Sequence, residues 1–79
     1  MNDHTGSFPL SMSAPGQWVT LVKITTGRKL RRRLTELGLT AGTEMKVVRD
    51  EGGPILVAVH DSRLALGRGT AHKILVQPV

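Results

Sequence analysis

The stretch Leu30-Arg31-Arg32-Arg33-Leu34-Thr35-Glu36-Leu37-Gly38-Leu39 decides the architecture of this chain. Leu30, Leu34 and Leu37 stand at i, i+4 and i+7, the spacing that lines one face of a helix. Arg28, Lys29, Arg31, Arg32 and Arg33 fall mostly on the other faces. Gly38 occupies the place of a left-handed residue just past a helix end, and Leu39 the place of the hydrophobic contact that completes a Schellman motif. Thr26 is positioned to be the N-cap. A helix of about ten residues is too short to persist alone in water, so its leucine stripe must close onto a sheet.

Reading outward, the period changes to that of strands. Pro15-Gly16 marks a turn, and Gln17 to Ile24 is dense in strand formers. Beyond Thr40-Ala41-Gly42, Met45 and Val47 alternate with Glu44, Lys46 and Val48. Glu51-Gly52-Gly53-Pro54 signals a hairpin, with two glycines free to take positive φ and a proline barred from central ladder positions. Ile55, Val57 and Val59 alternate next, His60-Asp61-Ser62 turns the chain into Arg63 to Leu66, and Ile74 to Val76 reads as the last strand. Gly67 to Lys73 has room for one short helical turn. These spacings predict a mostly β fold, a small closed five-stranded antiparallel barrel with one inserted α-helix and a short helical turn before the last strand. Residues 1–8 carry no apolar period and are read as a disordered tail, leaving 9–79 as the domain.

At 79 residues there is room for a single domain. Eleven Lys and Arg against six Asp and Glu give a net charge of +5, which favours anionic partners. A single Trp18, a single Phe8 and no tyrosine require an aliphatic core. A domain of this size buries only roughly 60% of its unfolded surface, which leaves little stability for a strained catalytic cleft and favours a binding module. The absence of cysteine removes disulfides, thiolate catalysis and thiolate metal sites. The longest apolar run, Ile55 to Val59, is far short of the roughly 20 residues that span a bilayer. Asp3 and His4 stand where a signal peptide would place positive charge, so a cytoplasmic protein is expected.

Among candidate sites the cluster Arg28-Lys29-Leu30-Arg31-Arg32-Arg33 is the sharpest. It suits nucleic acid, acidic lipid or an acidic protein surface, and its plain alternative is a solvated helix face. Cations at a helix start oppose the macrodipole by about 0.3–1 kcal/mol each, a cost that suggests the charge is used. Nucleic-acid readers stack bases on aromatics, which this chain scarcely has, and the same scarcity argues against a proline-peptide groove. His4, His60 and His72 with Asp3 or Asp61 match no compact ligand spacing, so no metal site is assigned. Ser62 beside His60 and Asp61 is turn chemistry, since catalytic triads converge in space and not in sequence. No Gly-rich stretch is followed by the Lys-Ser/Thr pair of a phosphate loop. No catalytic residue is assigned and no enzyme is expected.

The run from Leu30 through Gly38-Leu39-Thr40-Ala41-Gly42-Thr43-Glu44-Met45 resembles the helix and following turn of the FeoA family. Leu10-Ser11 with Pro15-Gly16, Gly53-Pro54-Ile55, and Arg63 to Leu66 followed by Ala71 and Ile74 to Val76 extend the resemblance over nearly the whole chain. It implies an SH3-like barrel, a cytoplasmic accessory of bacterial ferrous-iron uptake that works with FeoB, the membrane GTPase and iron(II) permease. It implies a peripheral position at the membrane through that partner; no small-molecule substrate is expected, and no cofactor, since no ligand cluster supports iron(II) association. The related barrel appended to DtxR-type repressors keeps an iron-sensing reading open beside a small basic nucleic-acid-binding one. Arg31, Arg32 and Arg33, with Leu39 and the Gly52-Gly53 hairpin as neighbours, are the expected docking residues. Two departures stand out: Gly67 and Gly69 flank Arg68, which should loosen the turn near Thr70, and Ser13 replaces a common apolar residue, with Met12 placed to substitute for it.

Overall fold

Alternation of buried and exposed residues organises the chain into strands that share one aliphatic interior. A computed structural model describes residues 6–50 and 52–79. In order these form strand β1 (Phe8–Pro9), a 3-10 turn (Leu10–Met12), β2 (Trp18–Ile24), helix α1 (Arg28–Glu36), β3 (Glu44–Arg49), β4 (Ile55–Val59), β5 (Ser62–Leu66), helix α2 (Arg68–His72) and β6 (Ile74–Pro78). The strands make one antiparallel sheet in the order β1-β6-β2-β3-β4-β5.

The mostly β class with an inserted helix and a short helical turn is as the sequence suggests; the strand count is not. The sixth strand is β1, which pairs Phe8 with Val76 and Pro9 with Leu75. Phe8 is thus paired although it fell within the expected tail; residues 1–5 of that tail lie outside the described residues. Among the described residues the hydrogen-bonded ladder does not close into a complete barrel but ends at β1 and β5.

Val19 and Leu21 face inward, then the register with β6 shifts between Leu21 and Lys23, so the next inward residue is Ile24. That bulge bends β2 and keeps its apolar residues on the core side. A second shift, between Val47 and Arg49, sets the exposed Arg49 opposite Leu56 at the end of β3. The core joins these residues to Leu10, Met45, Ile55, Val57, Val59, Ile74 and Val76, all essentially inaccessible. It contains no fully buried aromatic ring; Phe8 packs against its margin.

Helix α1 ends in the expected motif. Gly38 has φ of 94°, its N–H donates to the Thr35 carbonyl at 2.9 Å, and the Leu39 N–H donates to the Leu34 carbonyl at 2.9 Å. Leu34 and Leu39 are both buried in the core, the apolar contact that accompanies such an end. The helix start differs from expectation. Its N-cap is Gly27, with no side-chain cap, and Thr26 contributes its carbonyl, which accepts from Arg31 Nη2 at 3.0 Å. Leu37 differs too: as the C-cap residue it leaves the helical stripe and is 48% exposed. Arg31 and Thr35 of α1 face Leu21 to Ile24 of β2 across one groove, while Leu30, Leu34 and Leu37 face Ala65 and Leu66 of β5 across another. The helix therefore borders β2 on one flank and the end of β5 on the other.

Ser13 and Met12 also depart from expectation. Met12 is exposed and does not replace an apolar side chain at position 13. Ser13 itself is buried, and its Oγ has no hydrogen-bond partner. A buried hydroxyl without a partner costs about 1–3 kcal/mol, so Ser13→Ala is expected to raise stability by about 1 kcal/mol and the Tm by several degrees. Gly38→Ala is expected to do the reverse, by about 1–2 kcal/mol, because a Cβ is strained at positive φ. The His60 ring does not add to that cost, lying 3.6 Å from where the new Cβ would sit. Thermal and urea unfolding followed by circular dichroism measure both.

Candidate functional site

The buried leucines fix which way α1 faces, and that determines where its charge goes. With Leu34 anchored in the core, Arg28, Lys29, Arg31, Arg32 and Arg33 are all exposed. Glu36 is the helix's single carboxylate. None of the five cations has an ion-pair partner within 4.0 Å among the described residues. Lys29, Arg32, Arg33 and Glu36 form one continuous surface around Leu30. Arg31 lies on the other flank, where with Lys23, Thr35 and Thr40 it borders an open groove of about 300 Å³.

Three of the expected docking residues, Arg31, Arg32 and Arg33, are therefore exposed on α1, with Arg31 pointing away from the other two. Leu39 is not available: it is fully buried, drawn inward by the same turn that ends the helix. Gly52 and Gly53 are exposed at the β3–β4 hairpin; Gly52 takes φ of 92°, and Gly53 does not enter the left-handed region expected for both. Glu51, of the same hairpin, lies outside the described residues.

Arg68, which sequence reasoning took as part of a loosened turn, ties this hairpin to the rest. Its Nη1 and Nη2 donate to Asp50 Oδ1 at 2.8 and 2.7 Å, and Nη1 reaches the Gly53 carbonyl at 3.5 Å. Gly67 caps α2 and lines the groove that Leu30 and Arg33 border from the helix side. Ile55 pairs with Leu66, so the hairpin tip, the start of α2 and the Arg33 side of α1 gather at one end of the sheet. No periodicity could have disclosed a pair 18 residues apart with one partner between two glycines.

The histidines do not meet. His60 sits in the β4–β5 turn with φ of 55° and packs on Gly38, and His72 Nδ1 lies 3.4 Å from Ser11 Oγ; His4 and Asp3 lie outside the described residues. Among the described residues no three His, Asp or Glu side chains are grouped to hold a metal ion. No helix among them is long and apolar enough to cross a membrane.

A bent six-stranded antiparallel sheet with one inserted helix and a short helix before the last strand has the form of a small SH3-like domain. Residues 8–78 match the FeoA domain family. The chain is 36% identical over 70 residues to a candidate Fe(2+) transport protein A of Methanocaldococcus jannaschii, covering 89% of this chain and 85% of that one. It superposes on the crystal structure of a FeoA described as an iron uptake regulatory protein with a TM-score of 0.83 at 32% identity, covering 92% and 97% of the two chains. Stenotrophomonas maltophilia FeoA, a prokaryotic SH3 domain protein crystallised with zinc, gives a TM-score of 0.79 at 28% identity, covering 89% of each chain. The chain belongs to the FeoA family, whose members are accessory proteins of ferrous-iron transport.

The Asp50–Arg68 contact is a local prediction of this geometry. Both partners are near the surface, so the pair is expected to contribute about 0.5–1 kcal/mol. A double-mutant cycle of Asp50→Ala and Arg68→Ala in urea unfolding measures that coupling, and independent additive effects would mean that the clamp does not form in solution.

Proposed function

We propose that this protein is a non-enzymatic, cytoplasmic accessory of ferrous-iron uptake that docks through α1 on the cytoplasmic part of the FeoB membrane GTPase and iron permease and modulates its assembly or activity. The observation that carries the reading is the unpaired basic face of α1. Five cations and one carboxylate are held on a helix whose orientation is set by buried leucines. Their mutual repulsion has no compensating partner among the described residues. A complementary acidic surface would supply one and would steer encounter as well. Family membership in ferrous-iron transport supports the choice of system.

Arg32 and Arg33 form the centre of the proposed contact, Arg31 its flank, and the Gly52-Gly53 hairpin a neighbour braced by Arg68. Leu39 contributes from within by holding the helix end.

The test is binding of the intact chain to the detergent-solubilised transporter by a labelled pull-down and by titration. Arg31→Gln/Arg32→Gln/Arg33→Gln is expected to weaken binding at least about tenfold and to flatten its dependence on salt, because rim charges act on the association rate. Unchanged binding by that folded variant, or normal transporter assembly and iron import in cells lacking the protein, would count against this reading.

A further inference from the structure

A second surface, on the outer face of the sheet, has a different chemistry from that of the helix. The ladder registers Trp18 against Lys46, Lys46 against Ala58, and Ala58 against Arg63. Partners in register project to the same face, so these four side chains form one row across β2, β3, β4 and β5. A neighbouring row runs from Arg49 to Leu56 to Ala65. Val19, Met45, Val47 and Val57 alternate with them and fill the core, which fixes both rows as outward. Trp18 is 52% exposed, and Lys46, Arg49 and Arg63 are exposed.

The carboxylates facing this surface lie at its borders. Glu44 is two residues from Lys46 on the same side of β3, opposite Thr20, and Asp61 is in the β4–β5 turn next to Arg63's strand. Asp50, next to Arg49, is taken up by Arg68, so among the described residues three cations stand against two remaining carboxylates, and none of those five is ion-paired within 4.0 Å. Lys46 lies directly across from the half-exposed indole of Trp18, and the small side chains of Ala58 and Ala65 continue the face toward Arg63.

We propose that this face docks directly on an anionic membrane surface. An indole is amphipathic and settles at headgroup depth, with its ring against acyl chains and its N–H toward water. Lysine and arginine lay their aliphatic stems along apolar surface and extend their heads outward, where lipid phosphates would meet them. An anionic leaflet attracts such cations within a Debye length. Single-stranded nucleic acid fits this face less well, because successive bases need successive aromatic platforms and Trp18 is followed across the sheet by Lys46, Ala58 and Arg63. The inference does not rest on the role of α1, since no α1 residue belongs to either row.

Trp18 is the chain's single tryptophan and reports on its own face. The full chain is mixed with vesicles of phosphatidylglycerol or of phosphatidylcholine, and emission and co-sedimentation are followed. The expected result is a blue shift with sedimentation on phosphatidylglycerol and neither on phosphatidylcholine. Lys46→Gln/Arg63→Gln is expected to weaken binding roughly twentyfold, about fivefold for each cation. Trp18→Ala should weaken sedimentation further, whereas Arg31→Gln/Arg32→Gln/Arg33→Gln should leave the blue shift in place. The proposal is overturned by no response to phosphatidylglycerol, by sedimentation without an emission change, or by loss confined to the helix variant. Quenching by a single-stranded oligonucleotide with no vesicle response would assign the face to nucleic acid instead.

Discussion

The turn at Gly38 is the constraint on which the arrangement of this protein depends. Nine residues of helix carry five cations and begin without a side-chain cap, so α1 has little intrinsic reason to persist. It is held by burial of Leu34 before the turn and Leu39 after it, each contributing about 1.5–3 kcal/mol, which exceeds the about 0.3–1 kcal/mol by which each cation in the first turn opposes the helix dipole. Because both leucines enter the same core, the helix cannot roll without withdrawing one of them. The direction of the basic face is therefore a consequence of packing. Arg31 ties the helix start to the Thr26 carbonyl, whereas Arg32 and Arg33 have no such tie among the described residues, which leaves their charge free to serve a partner.

A similar division of labour holds at the far end of the sheet. The β3–β4 hairpin extends beyond its ladder, and among its described residues none is buried until Ile55. Its position is instead set by a guanidinium from α2, which places two nitrogens on Asp50 and one of them near the Gly53 carbonyl. The glycines on either side of Arg68 lower helix propensity, yet α2 forms, because Ala71 is buried and the Ala71 N–H donates to the Gly67 carbonyl at 2.9 Å. Local preference is overridden there by one buried methyl group and one long side chain.

Much of this fold was legible because strand and helix periods are short-range properties. Ile55, Val57 and Val59 announce β4 without reference to any other strand, and Leu30, Leu34, Gly38 and Leu39 announce both a helix and its end. What escaped depends on partners. Phe8–Pro9 is a strand solely through its pairing with β6, and the bulges in β2 and β3 shift a parity that has meaning only against the neighbouring register. Leu37 and Leu39 look alike in sequence, but the chain turns between them, sending one to solvent and the other to the core. On the candidate site the same limit applies: the cluster of arginines was plain, whereas the buried state of Leu39 and the reach of Arg68 to Asp50 required three dimensions. The row from Trp18 to Arg63 was hidden for the same reason, its four members coming from four different strands.

The two exposed surfaces differ in what they can offer a partner. The helix face presents charge with Leu30 half-buried beneath it, so its attraction acts at range and is screened over about 8 Å at physiological ionic strength. The sheet face mixes charge with an indole, and apolar burial is not screened by salt. A domain with both can be drawn toward an acidic surface by the first and retained on an amphipathic one by the second. Neither surface interferes with the core, because the residues that compose them alternate with, or stand opposite to, those that hold the fold. In a chain of 79 residues this separation is the economical use of a limited surface: the interior is committed to stability, and the side chains that packing leaves outside are free for recognition.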